Sequence, residues 1–261
     1  IFKQLVGMQI YFVLKYCYLM CEEMNFMKLL AMDTSNQTLA VAVLEDEKLL
    51  AQFQLNRKMN HSLTLMPAID SVMQASGLKP ADLDRIVVAK GPGSYTGIRI
   101  AVTTAKTLAD TLKIELAAVS SLAVLAGNTK TSKWIVPLMD ARRNNVYAGA
   151  YRWENQQLIT VLADQHIALT NLLDQIKEPA IFIGETDKFK DQIASTLPEA
   201  EICEADEVNL PNGIVLGKLG LHAEPTENIH GLVPEYLKRV EAEEKWLETH
   251  QPEDDNYVEK I

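Results

Sequence analysis

Cysteine is scarce. Only three occur in 261 residues, and Cys17 and Cys21 both fall in the first segment, so Cys203 is the one thiol of the remaining sequence. No disulfide framework or zinc site can be built from that number, which points to a reducing cytosol. Histidine is equally thin: His61, His166, His222, His230 and His250 lack metal-ligand spacing, and no metal or other cofactor is expected. Basic charge is the next shortage. The 25 Lys and Arg residues face 35 Asp and Glu, a formal charge of −10, whereas a polyanion is gripped by clustered cations. Any nucleic acid is therefore expected to be held indirectly, by a partner. No long uninterrupted apolar run occurs either. Residues 1–26 are apolar but broken by Lys15, too short for a membrane span, and no small-residue cleavage site follows. Because a strand pattern restarts at Met27, this piece is expected to be an extension outside the fold. Eight acidic residues against two lysines after Val240 make 241–261 a solvated acidic tail.

Between these ends the sequence is patterned. KLLAMD from Lys28, TLAVAVLED from Thr38 and KLLAQFQLN from Lys48 read as three successive strands. A helix follows over about Ser62–Ser76, with Gly77 as its stop. RIVVA from Arg85 is a short buried strand, the stretch KGPGSYTGIRIA launches a second helix, and Leu116–Val119 closes the half. The order then returns: MDARRNNVYAGA from Met139 aligns with MDTSNQTLAVAV from Met32, followed by strand Leu158–Ala163, helix Asn171–Ile176 and strand AIFIGE from Ala180. Duplicated βββαβα units imply an α/β fold of two actin-like lobes, 27–125 and 126–240, the latter including a C-terminal return.

Two constellations carry candidate chemistry. Asp33, Thr34 and Ser35 at one strand end and Asp140 at the matching end occupy the places where actin-like phosphotransferases and ATPases handle metal and phosphate; the plainer reading is Asx and Ser/Thr turns, with Arg142 and Arg143 pairing with Asp140. Gly91, Gly93, Ser94 and Thr96 form a Gly-rich turn at a helix N-terminus, which can receive an anion. Yet Ile98 stands where a Walker A loop needs Lys, and Thr96 where a dinucleotide fingerprint needs Gly. A tight strand-to-helix turn with Ser94 or Thr96 as the cap is the plainer reading. Ser94 also lacks the G-x-S-x-G frame of a nucleophile elbow. His61 reads as a helix cap, since position 64 is Thr and 65 is Leu. No interleaving of basic and aromatic residues suggests an RNA platform. The Met-rich and small-residue helices suit either a core or a helix-to-helix interface.

Together MDTS at Met32–Ser35, HSLTLMP at His61–Pro67, KGPGSYTGIRIA at Lys90–Ala101, MDARRNNVYAG from Met139 and VPEYLKR at Val233–Arg239 resemble the bacterial TsaB (YeaZ) family. The resemblance spans Met27–Arg239. It implies a two-lobed actin-like (ASKHA, ribonuclease H-like) fold and a non-catalytic role in forming N6-threonylcarbamoyladenosine on tRNA. The implied partners are TsaD, which carries the metal and transfers the group, and the ATPase TsaE; self-association is also implied. TsaD-like proteins carry a two-histidine motif where this chain has His61 alone. The implied pairing surface lies on the first-lobe helices, at Leu65, Met66, Ile69, Val72, Met73, Ile98, Arg99, Val102, Ala105 and Lys106. An older family label, glycoprotease, finds no supporting chemistry in these residues.

Overall fold

The computed structural model describes residues 26–238; the expected extension apart from Phe26, the acidic tail, and Arg239 and Val240 lie outside the described residues. Strands β1 (Lys28–Asp33), β2 (Thr38–Glu45) and β3 (Lys48–Asn56) form an antiparallel meander, because each is an apolar or alternating run separated by a short polar turn. Helix α1 (His61–Ser76) returns the chain to β4 (Arg85–Gly91), which pairs parallel with β1, and α2 (Tyr95–Leu112) returns it to β5 (Glu115–Ser120). The sheet order is β3-β2-β1-β4-β5.

A six-residue helix, α3 (Ser121–Ala126), leads into the second unit: β6 (Trp134–Asp140), β7 (Asn145–Glu154), β8 (Gln157–Ala168), α4 (Leu169–Gln175), β9 (Ala180–Gly184), α5 (Lys190–Thr196) and β10 (Glu201–Ile202). Its sheet order, β8-β7-β6-β9-β10, repeats the first one strand for strand. This is the duplicated, two-lobed actin-like architecture. The third strand of the second unit runs well past the expected Leu158–Ala163, since β7 pairs with it as far as Ala168 through register shifts near Ala148 and Ala150.

After α6 (Asp206–Asn209), helix α7 (Gly213–His222) crosses back onto the first sheet. Glycine permits that contact: a Cβ at Gly220 would sit 2.1 Å from Val87 Cγ1, and one at Gly217 2.6 Å from Leu44 Cδ1. Arg85, 6% exposed, donates to the carbonyls of Gly220, Leu221 and Ala223 at the end of α7 while bonding Glu115. A cation there offsets the exposed carbonyls of the helix end. The first sheet is thus covered by α1 and α2 on one face and by α7 and α3 on the other.

Helix α3 also packs on β6 and β7, joining the lobes. Its cap, Ser120 Oγ, accepts from Leu122 and Ala123 N–H and donates to Asp164 of β8, which also accepts from Tyr151 OH. Burial pushes the Asp164 carboxyl above the usual range and the Tyr151 phenol well above its own. Among the described residues no helix is long and apolar enough to cross a membrane.

Candidate functional site

The ends of β1 and β4 lie side by side because the two strands pair in parallel, so the turns that follow them meet. Asp33, Thr34 and Ser35 are fully buried. Asp33 Oδ1 accepts from Ser35 N–H at 2.7 Å, an Asx turn, whereas Asp33 Oδ2 and Ser35 Oγ have no partner. Burial pushes the Asp33 carboxyl above its ordinary value, outweighing the Ser35 N–H hydrogen bond and the nearby His61.

The Gly91–Gly97 turn packs directly onto this one. Ser94 N–H donates to Ser35 O at 2.6 Å, and Thr34 Oγ1 donates to Gly97 O at 2.7 Å. A Cβ at Gly93 would stand 2.2 Å from Ser35 O, and one at Gly97 2.1 Å from Thr34 O. The glycines therefore serve a backbone-to-backbone contact. Ser94, accepting from Gly97 N–H, is the cap of α2; Thr96, the other candidate, lies within the first turn and is exposed.

Asp140 faces these turns across a cleft of about 830 Å³ lined by Ser35, Lys58, His61, Tyr147, Glu185 and Lys238 among others. The expected pairing with arginine side chains is corrected: Lys188 forms the ion pair, and Arg142 contributes its backbone N–H. At the hairpin tip Arg142, Arg143 and Asn144 all have positive φ (68°, 52° and 58°). Each such residue costs about 1 kcal/mol or more, held here by Asn145 Nδ2 donating to Arg143 O and by Leu169 N–H donating to Asn144 O. Burial raises the Asp140 carboxyl, but the Lys188 and Arg142 hydrogen bonds outweigh it and hold it below its ordinary value. Glu185, which accepts from Asp140 N–H, is pushed upward by burial.

His61 is likewise reassigned. Asn60 caps α1, accepting from Ser62 N–H, while His61 is its first residue and bonds the Asn36 carbonyl through Nε2. The single histidine of HSLTLMP therefore ties α1 to the β1 turn.

The expected contact residues separate into three groups. Leu65, Ile69, Val72, Met73, Ile98, Val102 and Ala105 are at most 7% exposed and pack against the first sheet, so they form core rather than surface. Arg99 and Lys106 hold the chain's own C-terminal segment: Arg99 lies over the Tyr95 ring, which stacks on Tyr236, and Lys106 donates to the carbonyls of His230 and Leu232. Met66 alone points outward, 51% exposed. It stands with Leu63, one helical turn earlier, and with Met59, in the segment just before α1, at 72% and 47% exposure. Sequence reasoning missed this ridge because a Met-rich helix has two apolar faces, and only burial separates them. It expected a C-terminal return but not where that segment attaches: residues 226–238 form a strap on the first lobe, anchored by backbone groups, Thr226 N–H to Leu116 O and Glu235 N–H to Lys90 O.

Comparison with known proteins agrees with this architecture. Residues 48–246 match the family model "TsaD: tRNA N6-adenosine threonylcarbamoyltransferase". The tRNA threonylcarbamoyladenosine biosynthesis protein TsaB of Bacillus subtilis is 42% identical over 228 residues, covering 85% of this chain and 99% of that protein. TsaB of Escherichia coli is 28% identical over 145 residues, covering 52% of this chain and 62% of that protein. The crystal structure of YeaZ from Pseudomonas aeruginosa superimposes with a TM-score of 0.68 at 24% identity, over 81% of this chain and all of that one. The chain belongs to the TsaB family of tRNA threonylcarbamoyladenosine biosynthesis proteins.

Proposed function

We propose that this chain is a non-catalytic cytoplasmic subunit that binds and activates a TsaD-type transferase, working with a TsaE-type ATPase to form N6-threonylcarbamoyladenosine on tRNA. The observation that carries the reading is the closed contact between the Asp33–Ser35 and Gly91–Gly97 turns. Ser94 N–H, a donor that the start of a helix could offer to an anion, is spent here on Ser35 O at 2.6 Å. The lone His61, bonded to Asn36 O, agrees, since two histidines are what the metal-bearing relatives would need. The partner surface is the outer ridge of α1, Leu63 and Met66, with Met59 just before the helix and Tyr95 at the start of α2, all exposed apolar side chains. A second copy of this chain would meet the same ridge.

The ridge is tested by Met66→Asp. A charge set in an apolar contact costs at least about 2 kcal/mol, so capture of the TsaD-type partner weakens at least about tenfold while the melting temperature of the isolated chain stays put. Unchanged capture removes the ridge from the interface. The orphaned Asp33 Oδ2 and Ser35 Oγ favour one alternative, a nucleotide-dependent phosphotransferase or ATPase of the actin-like class. Calorimetric titration with ATP and magnesium decides it: heat that disappears in Asp33→Ala would support that alternative, and absence of binding at millimolar nucleotide removes it.

A further inference from the structure

The cleft mouth gathers positive charge in a chain that is acidic overall. Lys58 from the segment after β3, Arg142 from the β6–β7 tip and Lys238 from the C-terminal strap line the same cavity. None is within ion-pair distance of a carboxylate among the described residues. Their sequence neighbours Arg57 and Arg143 are exposed beside them. Elsewhere the described Lys and Arg residues mostly find a carboxylate, a carbonyl or an aromatic ring, as Lys90, Lys106 and Lys130 do. The remaining unpartnered ones, Lys28, Lys48, Lys79 and Lys177, lie on separate parts of the fold. Arg142 lies within electrostatic reach of Asp140, but Lys188 already pairs with that carboxylate, so the like charges gathered at the mouth favour an external anion.

Two features fix the class of anion. Ser94 N–H is already spent on Ser35 O, and the carboxylates on the same cavity wall, Asp140 and Glu185, disfavour an anion beside them although Lys188 neutralises the first. Binding is therefore confined to the rim. The rim cations come from both lobes and from the strap, an arrangement of several separate cations that suits the repeated charges of a sugar–phosphate backbone. The β6–β7 tip adds to this, because three consecutive left-handed residues held by Asn145 and Leu169 fix where Arg142 and Arg143 leave the backbone.

We propose that the cleft mouth, through Lys58, Arg142, Arg143 and Lys238, directly grips the phosphate backbone of an RNA. That the polyanion is RNA rests on the tRNA-modification reading; that the rim takes an extended anion rests on the charges alone. Sequence reasoning pointed the other way, toward RNA held only through a partner, because the cations are dispersed over three segments and only the fold collects them.

The test is fluorescence anisotropy of a labelled RNA stem–loop with the full chain, at salt concentrations from about 50 to about 200 mM. The variants are Lys58→Glu with Arg143→Glu, Lys238→Glu, and a charge-matched control, Lys48→Glu with Lys79→Glu. The expected result is salt-dependent binding by the unaltered chain, weakened about tenfold or more by the rim variants and within about twofold by the control. Melting curves check that every variant is folded. No binding at about 50 mM salt overturns the proposal, as does equal weakening in the control. Binding of inorganic pyrophosphate at the same residues without binding of the stem–loop overturns it in favour of a small anion. Capture of the TsaD-type partner is measured on the same variants and is expected to persist. Its loss in Met66→Asp with RNA binding intact keeps the two readings separate, and its absence in the unaltered chain defeats the subunit reading without touching the RNA result.

Discussion

Asp33 sits in a fully buried turn with one oxygen bonded and the other orphaned, so its charge is a cost to the fold. Its carboxyl titrates higher in the folded chain than in the unfolded one, which means that its contribution is fully favourable at acidic pH and is lost as pH rises through the folded value. Asp33→Asn keeps the oxygen that accepts from Ser35 and removes the charge. Thermal melts are therefore expected to show the variant more stable than the unaltered chain near pH 8, with the gap closing toward about pH 4, the ordinary carboxylate range. A loss of stability at pH 8 would mean that the ionised carboxylate is wanted there. Gly97 supports the same turn from the other side: an added Cβ 2.1 Å from Thr34 O has nowhere to go, and Gly97→Ala is expected to lower stability by at least about 2 kcal/mol in urea unfolding. In the sequence both residues resembled parts of a phosphate site. Their type was legible, but whether a Gly-rich turn admits a ligand or another backbone depends on the separation of β1 and β4, a long-range distance that no local pattern encodes.

The helices of the first lobe were legible as elements and illegible as surfaces. Apolar spacing placed α1 and α2 within a residue or so of their ends, since Leu65, Ile69 and Val72 repeat at the helical period. The same spacing could not tell inward from outward, and seven of ten residues assigned to a contact face are core. Ile69→Asp accordingly tests the fold rather than the interface: it buries an unpaired charge, and the chain is expected to lose at least about 3 kcal/mol of stability. The C-terminal strap is the least legible element. Its regular structure is slight, and it is held by backbone contacts, by the Lys90–Glu235 ion pair and by the stack of Tyr236 on Tyr95 at 4.8 Å. Tyr236→Ala is expected to cost about 1 kcal/mol and to free the strap, which hydrogen exchange at the Glu235 amide reads directly; unchanged protection there would mean that the backbone bonds alone secure it.

At the scale of the molecule, the duplication was readable because Met-Asp ends an apolar strand in each half, at Asp33 and Asp140, and the two sheets repeat the same order. What was not readable is how the halves divide their work. The first lobe carries the closed turns, the outward ridge and the strap, whereas the second brings the arginine tip and the Asp140–Lys188 pair. The β1 and β4 turns bond to each other, and the proposed contacts therefore fall at the cleft rim and on the ridge. The account's central claim is that this chain supplies no chemistry of its own yet is required for the chemistry of its partner. It is tested most directly by reconstitution: a TsaD-type transferase, a TsaE-type ATPase and the adenylate-forming enzyme are incubated with tRNA, with and without this chain, and N6-threonylcarbamoyladenosine is measured by mass spectrometry of the nucleosides. The predicted result is product only when this chain is present, with none from the chain alone. Full product without it, or product from the chain by itself, would contradict the account.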